Sequence, residues 1–225
     1  MIRSSHMYNG NFVCVQADTD AGFLEEANRF KFLALVSEAK TIFSFHLHAY
    51  SLTPRRTLLL IETAAPPGAV IRFLQNAYRQ YLTDKYPAES HAMKIHYIEQ
   101  KVWTRHFFIE LCKFIHLAPC FEGLCSRPSE WKWSSYDSYI HIKPASLTDR
   151  ALLYSFFPAE TLSALRTFHE RELESGTAAG DLFAIYTSYL ASMHAIHKKT
   201  SLFSFDQQQD NASFFLSENV SCTIE

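Results

Sequence analysis

Between Thr41 and Glu62 two β-forming runs are separated by only four residues. A connection that short permits only an antiparallel hairpin. The first run, Thr41 to Leu52, is rich in Phe, Ile and Tyr. The second, Thr57 to Glu62, contains Leu58-Leu59-Leu60-Ile61, and Pro54 punctuates the turn between them. On both sides of the hairpin the apolar spacing becomes helical. Ala21 to Lys40 carries Phe23, Leu24, Ala27, Phe30, Leu33, Ala34 and Val36, with Asp20 as the expected N-cap. Ala69 to Tyr86 carries Val70, Phe73, Leu74, Ala77, Tyr78 and Leu82, after the break at Ala64-Ala65-Pro66-Pro67-Gly68. Short strands are expected before the first helix, Asn11 to Gln16, and after the second, Met93 to Val102. The order β-α-β-β-α-β predicts an α+β fold with a ferredoxin-like, split βαβ sheet and helices packed on one face. A third helix, Thr104 to Leu117, follows and is expected to end near Pro119.

The character of the chain changes at about residue 143, which divides it into a domain at 1–143, a helical extension at 144–203 and a loosely ordered polar tail at 204–225. Within the extension, Leu147 to Glu174 is read as one helix stopped by Gly176, and Asp181 to Lys199 as another. Charge follows the same division. Residues 1–143 hold 16 Lys+Arg against 13 Asp+Glu, and the remainder holds 5 against 10, within a total of −2. A duplex-binding protein usually shows a clear basic excess, so this balance argues against a broad basic face and leaves room for a local patch. No apolar run approaches the roughly 20 residues that span a bilayer. The start, M-I-R-S-S-H-M-Y, lacks an apolar signal core, which points to the cytoplasm. Five cysteines, Cys14, Cys112, Cys120, Cys125 and Cys222, form no C-x-x-C pair and read as reduced core filler. Cys120 and Cys125 with His116 match no common zinc spacing.

Several stretches up to about residue 140 resemble the single-tyrosine HUH transposases, and most of all the REP-associated tyrosine transposases. His6-Met7-Tyr8 matches the opening of the family's first strand, and Phe32-Leu33 falls in its first helix. Leu47-His48-Ala49-Tyr50 with Leu52 and Pro54 is similar to its L-H-A-Y-x-L-M-P. Leu58 to Thr63 is similar to H-L-L-L-E-T, and Lys113 to Pro119 to R-Y-I-H-L-N-P. Trp131-Lys132-Trp133-Ser134-Ser135-Tyr136 is similar to W-x-W-S-S-Y and is the most specific of these. The resemblance implies a family reaction in which two strand histidines bind a divalent metal, Mg or Mn, and a helix tyrosine attacks the scissile phosphate. Here the histidine positions hold Arg56 and Leu58, and the tyrosine position holds Phe114. Leu58 has no ligand atom, Arg56 no lone pair and Phe114 no nucleophilic oxygen. Ala118 stands where the family has Asn.

The expected function is therefore DNA binding, to single strands or hairpins, without cleavage, without a catalytic residue and without a cofactor. Arg55, Arg56, Arg72, Arg79 and Lys85 are the candidate DNA contacts, since a guanidinium can grip a phosphate without metal. Two other readings stand beside it. One is a protein-interaction module that has lost DNA; the charge balance favours it slightly. The other is an active nuclease with a relocated site, built from Tyr97 and a divalent metal at His46 and His48, which share one face of a strand. The family includes monomers and dimers, which leaves a homodimer open. No membrane partner is expected.

Overall fold

The computed structural model describes residues 11–18, 23, 25–87, 96–102, 104–141, 146–157, 161–171 and 173. Its elements run β1 (Asn11–Asp18), α1 (Glu26–Phe43), β2 (His46–Leu52), β3 (Arg56–Thr63), α2 (Pro67–Lys85), β4 (His96–Lys101) and α3 (Arg105–Phe121). A single 3-10 turn at Pro128–Glu130 and three shorter helices follow: α4 (Tyr136–Ile140), α5 (Ala151–Tyr154) and α6 (Thr161–Glu170). The strands form one sheet in the order β2-β3-β1-β4, and each neighbouring pair is antiparallel. Among the described residues no helix is long and apolar enough to cross a membrane.

The four strands and three helices expected up to Pro119 are present, with boundaries moved for local reasons. The first helix starts at Glu26, because Phe23 just before it is buried against Phe32 and Tyr78 rather than lying on a helix face. The expected cap, Asp20, lies outside the described residues. The helix continues to Phe43 and stops at Ser44 in the left-handed conformation, so Thr41 to Phe43 are helical instead of extended. Pro67 at the second helix's first turn fits there because its missing N–H has no partner to lose. The third helix runs through Pro119, the expected stop. Its end is set by Gly123, at φ 71°, with Leu124 N donating to Pro119 O and Gly123 N to Cys120 O. Those paired bonds close the last turn around a left-handed glycine.

Helices cover both faces of the sheet, which corrects the expectation of one. Leu47, Leu52, Leu59 and Ile61 pack with Val36, Ala39, Val70, Leu74 and Tyr78 of α1 and α2. Ala49, Leu58 and Leu60 pack with α3 on the opposite side. The third helix has apolar residues around most of its circumference and is buried from Phe107 to Phe121, apart from Ile109, so it belongs between layers. A second correction concerns Leu147 to Glu174: it forms two helices, α5 and α6, separated by the Ser155–Phe157 turn. Leu153 and Leu165, one from each, enter the same core as Phe108 and Leu111. The expected boundary at 143/144 falls in a stretch outside the described residues, as do the helix at 181–199 and the tail at 204–225.

Two polar devices join the later segments to the sheet. Trp131 to Ser135 lies along the free edge of β2: Leu52 N donates to Trp133 O, Ser135 N to Tyr50 O and Trp131 Nε1 to Leu52 O. This covers an edge that would otherwise offer unpaired backbone groups. The second device is a buried chain. Tyr50 N donates to Ser135 Oγ at 2.9 Å, Ser135 Oγ and His116 Nε2 are 2.8 Å apart, and so are His116 Nδ1 and His169 Nε2. His169 Nδ1 lies 2.8 Å from Leu165 O. A carbonyl can only accept, so His169 donates from Nδ1 and accepts at Nε2. His116 must then donate from Nδ1 and accept from Ser135. Both rings are fully buried and neutral. Burial pushes His116 well below the usual imidazole pKa and His169 down to about 4.

Candidate nucleic-acid interface

The β2–β3 turn is held by Thr53, whose N–H donates to Arg56 O at 2.8 Å while its Oγ1 accepts from Arg56 N at 3.1 Å. Arg55 is exposed at the tip. Arg56 folds back, with Nη1 3.8 Å from Glu122 Oε1 at the C-terminus of α3. Two residues further on, Leu58 is buried in the core that also contains Phe114, which is 3 % exposed and 6.3 Å from the Phe121 ring. The structure therefore brings the three positions of interest toward one another. It fills them with an ion pair and apolar packing. These residues do not fit a divalent metal.

His46 and His48 lie 6.2 Å apart, ring to ring, and His48 falls at the register shift between Leu47 and Ala49 in β2. His46 is exposed. His48 is buried, with Nε2 3.0 Å from Glu62 Oε2, Nδ1 3.3 Å from Asp149 O and its ring edge-on to Phe108. Burial lowers its pKa. Asp149 in turn meets Lys40 at 2.6 Å and accepts from Leu47 N. Both nitrogens of His48 are thus committed to a lock between β2, β3 and the chain before α5. Among the described residues, no three His, Cys, Asp or Glu side chains are arranged to hold a metal. Tyr97 lies in β4 and pairs with Ala17 at the hairpin end of the sheet, whereas His46 pairs with Glu62 at the other end. With three strand spacings between β2 and β4, about 14 Å, and about 17 Å along the strand, the fallback trio does not assemble.

The candidate DNA contacts divide between the two ends of the molecule. Arg55, Arg56 and Lys85 lie at the hairpin end, where α2 finishes. Arg72 lies 13 residues before Lys85 on the same helix, about 20 Å away. Arg72 is exposed beside Gly68, and Arg79 is half-buried, with Nε in contact with no hydrogen-bond acceptor among the described residues. Lys85 holds Glu25 and Asn28 Oδ1, each at 2.7 Å, and the Glu25 carboxylate raises its pKa.

Sequence reasoning missed what surrounds these cations. Arg29 lies between Trp131 and Trp133, 5.5 Å from each ring. Phe30, 62 % exposed, stands edge-on to Trp133 at 4.7 Å. Lys31 sits over Tyr81 at 5.7 Å, Lys85 over Tyr86 at 4.9 Å and Lys132 over Trp133 at 5.1 Å. Rings and cations are thus interleaved at the start of α1, the end of α2 and the Trp131–Trp133 segment; Arg29 and Trp133 are themselves buried, whereas Phe30, Lys31, Lys85 and Lys132 are exposed. Phe30 reads as a core position from spacing alone. In the structure the Phe30 ring is exposed and packs edge-on against the buried Trp133.

No protein-family model matches the chain, and no curated protein matches it. One solved structure, described as a REP-associated tyrosine transposase bound to a REP hairpin, superposes with a TM-score of 0.49 at 12% identity. The overlap covers 68% of this chain and 95% of that chain. A likeness at that level carries no functional argument.

Proposed function

We propose that this protein is a transposase-like DNA-binding protein that holds single-stranded or hairpin DNA without cutting it. The observation behind this reading is the ring-and-cation surface at the hairpin end. Unpaired bases stack on such rings at about 1–3 kcal/mol per base, while Lys and Arg follow the phosphates. Phe30 offers the open ring, packed edge-on against Trp133, and Trp131, Tyr81 and Tyr86 are half-buried rings beside the cations. Arg55, Lys31, Lys85 and Lys132 supply charge. Arg72 lies beyond its reach. The sheet order supports reading the fold as ferredoxin-like. The lack of cleavage rests on Arg56, Leu58 and Phe114, none of which can perform the expected step.

A protein-interaction role is the second reading. It is favoured by carboxylates that already neutralise several of these cations: Glu25 on Lys85, Glu26 on Lys132 and Glu122 on Arg56. Fluorescence anisotropy with a labelled DNA hairpin bearing a single-stranded flank separates the two. Binding is expected at about 50 mM salt, weakening as salt rises. Phe30→Ala should raise Kd about five-fold, for a loss near 1 kcal/mol, at an unchanged salt slope. Arg55→Ala should lower the slope by about 0.7. With magnesium or manganese present the strand should stay intact and free of protein adduct. No binding at low salt would leave the interaction role standing, and a nicked or protein-linked strand would overturn the non-cleaving reading.

A further inference from the structure

Past the end of α3 the chain reverses at Gly123 and carries Cys125 back to Cys120. Their sulfurs are 3.4 Å apart and share a hydrogen bond. Both are free thiols, but their surroundings differ: Cys120 is 5 % exposed and Cys125 is half-buried at the surface. From this geometry we infer that Cys120 and Cys125 form a reversible two-electron redox pair that reacts with hydroperoxides. Cys125 is the attacking sulfur and Cys120 the resolving one.

The assignment of roles follows from access. A peroxide reaches Cys125 from solvent, whereas buried Cys120 meets only its neighbour. The hydrogen bond from the Cys120 thiol favours the Cys125 thiolate and lowers its pKa. In the first step the Cys125 thiolate attacks the peroxide O–O bond. Sulfur gains one oxygen and becomes a sulfenic acid, and the other oxygen leaves as hydroxide or alkoxide and takes up a proton. In the second step the Cys120 sulfur attacks the sulfenic sulfur, the S–O bond breaks and water leaves. The sulfurs lose two electrons and the peroxide gains them. A disulfide requires the sulfurs to close from 3.4 Å to about 2.05 Å. Cys112 is fully buried in the α3 core, which places it apart from this chemistry.

Peptide mapping of the folded chain tests the inference. Trypsin releases residues 114–132 as one peptide, because Pro128 protects the bond after Arg127, and that peptide contains no other cysteine. After brief treatment with hydrogen peroxide, the peptide should be two hydrogens lighter and resist alkylation. Dithiothreitol should restore both thiols. In Cys120→Ser, a sulfenic acid trapped by dimedone should accumulate on Cys125. In Cys125→Ser, Cys120 should remain a free thiol. Far-UV circular dichroism checks that each variant is folded, and the wild-type result stands without the variants. The inference fails if both wild-type thiols remain alkylatable while Cys125 takes up no oxygen. It also fails if either sulfur joins a different cysteine. Dimedone labelling of Cys120 in Cys125→Ser would reverse the roles and refute the assignment.

Discussion

Under α1 and α2 the sheet is closed mainly by aliphatic and aromatic side chains; under α3, α4 and α6 the core has three hydrogen-bonded polar side chains at its centre. The first face gathers Phe23, Phe32, Val36, Leu74 and Tyr78 against Leu59 and Ile61. Its polar and charged groups, Arg29 and Lys85 among them, sit at the rim, where they form the ring-and-cation surface. The second face encloses His116, His169 and Ser135 beside Leu58, Phe114 and Tyr139. Apolar packing tolerates small shifts of one helix over another. A buried donor and acceptor chain does not, because its atoms lose their partners on slipping and find no water in their place. The second face is therefore the one that specifies how α6 docks on α3.

The sharpest way to break this contrast is His116→Ala. It removes a buried ring, orphans His169 Nε2 and takes one partner from Ser135 Oγ, which keeps Tyr50 N. We expect a loss of about 3–5 kcal/mol from the cavity and the lost hydrogen bonds together. Arg72→Ala, exposed on the other face's helix, should cost no more than about 0.5 kcal/mol. Urea unfolding of the two variants measures both. Equal small losses would show that the polar chain specifies nothing.

Acid offers a slightly smaller effect from the same chain. The pKa of His169 in the folded protein, about 4, lies below its value of about 6.5 when unfolded. Below pH 6.5 the unfolded chain therefore binds a proton that the folded chain refuses. The stability from this residue is complete above pH 6.5 and lost as pH falls toward 4, by about 3 kcal/mol. Lys113, whose charge also opposes protonation of His169, acts in the same direction. Urea midpoints at pH 7, 5.5 and 4.5 should fall in that order. A flat profile would mean that the imidazoles take up protons without opening the core.

The smallest change asked of this face is one oxygen. Phe114→Tyr restores the hydroxyl that the resemblance leads one to expect, but places it in an apolar core. A cost of about 1–3 kcal/mol is expected, with no DNA–protein adduct formed. A variant as stable as the parent would show that the para position reaches water, and so would reopen the question of a nucleophile there.

Much of the architecture was legible in the chain because it depends on local spacing. The four-residue gap around Pro54 forces a hairpin, and the helical spacing through Val70, Leu74 and Tyr78 permits little else. Element ends were less legible. Pro119 reads as a stop, yet the helix passes through it, because the hydrogen bonds that end the helix are organised by Gly123. Of the candidate contacts, expected as one set with Arg79, the structure places Arg55, Arg56 and Lys85 at one end and Arg72 about 20 Å from Lys85 along its helix. Arg72 was not separable from them, because sequence order does not say at which end of a helix the sheet places its turn.

What the amino-acid sequence determined by itself was chemical capacity: which residue types stand at Arg56, Leu58 and Phe114, and so which bonds those positions can never make. Spatial relations came from tertiary structure alone. Cys120 and Cys125 are separated by four residues in any conformation, but only the left-handed turn at Gly123 puts their sulfurs in contact. His116 and His169 are 53 residues apart and share no local pattern. They meet because α6 folds over α3 to bury apolar surface, and a buried imidazole must then find whatever polar partner that packing brings within reach.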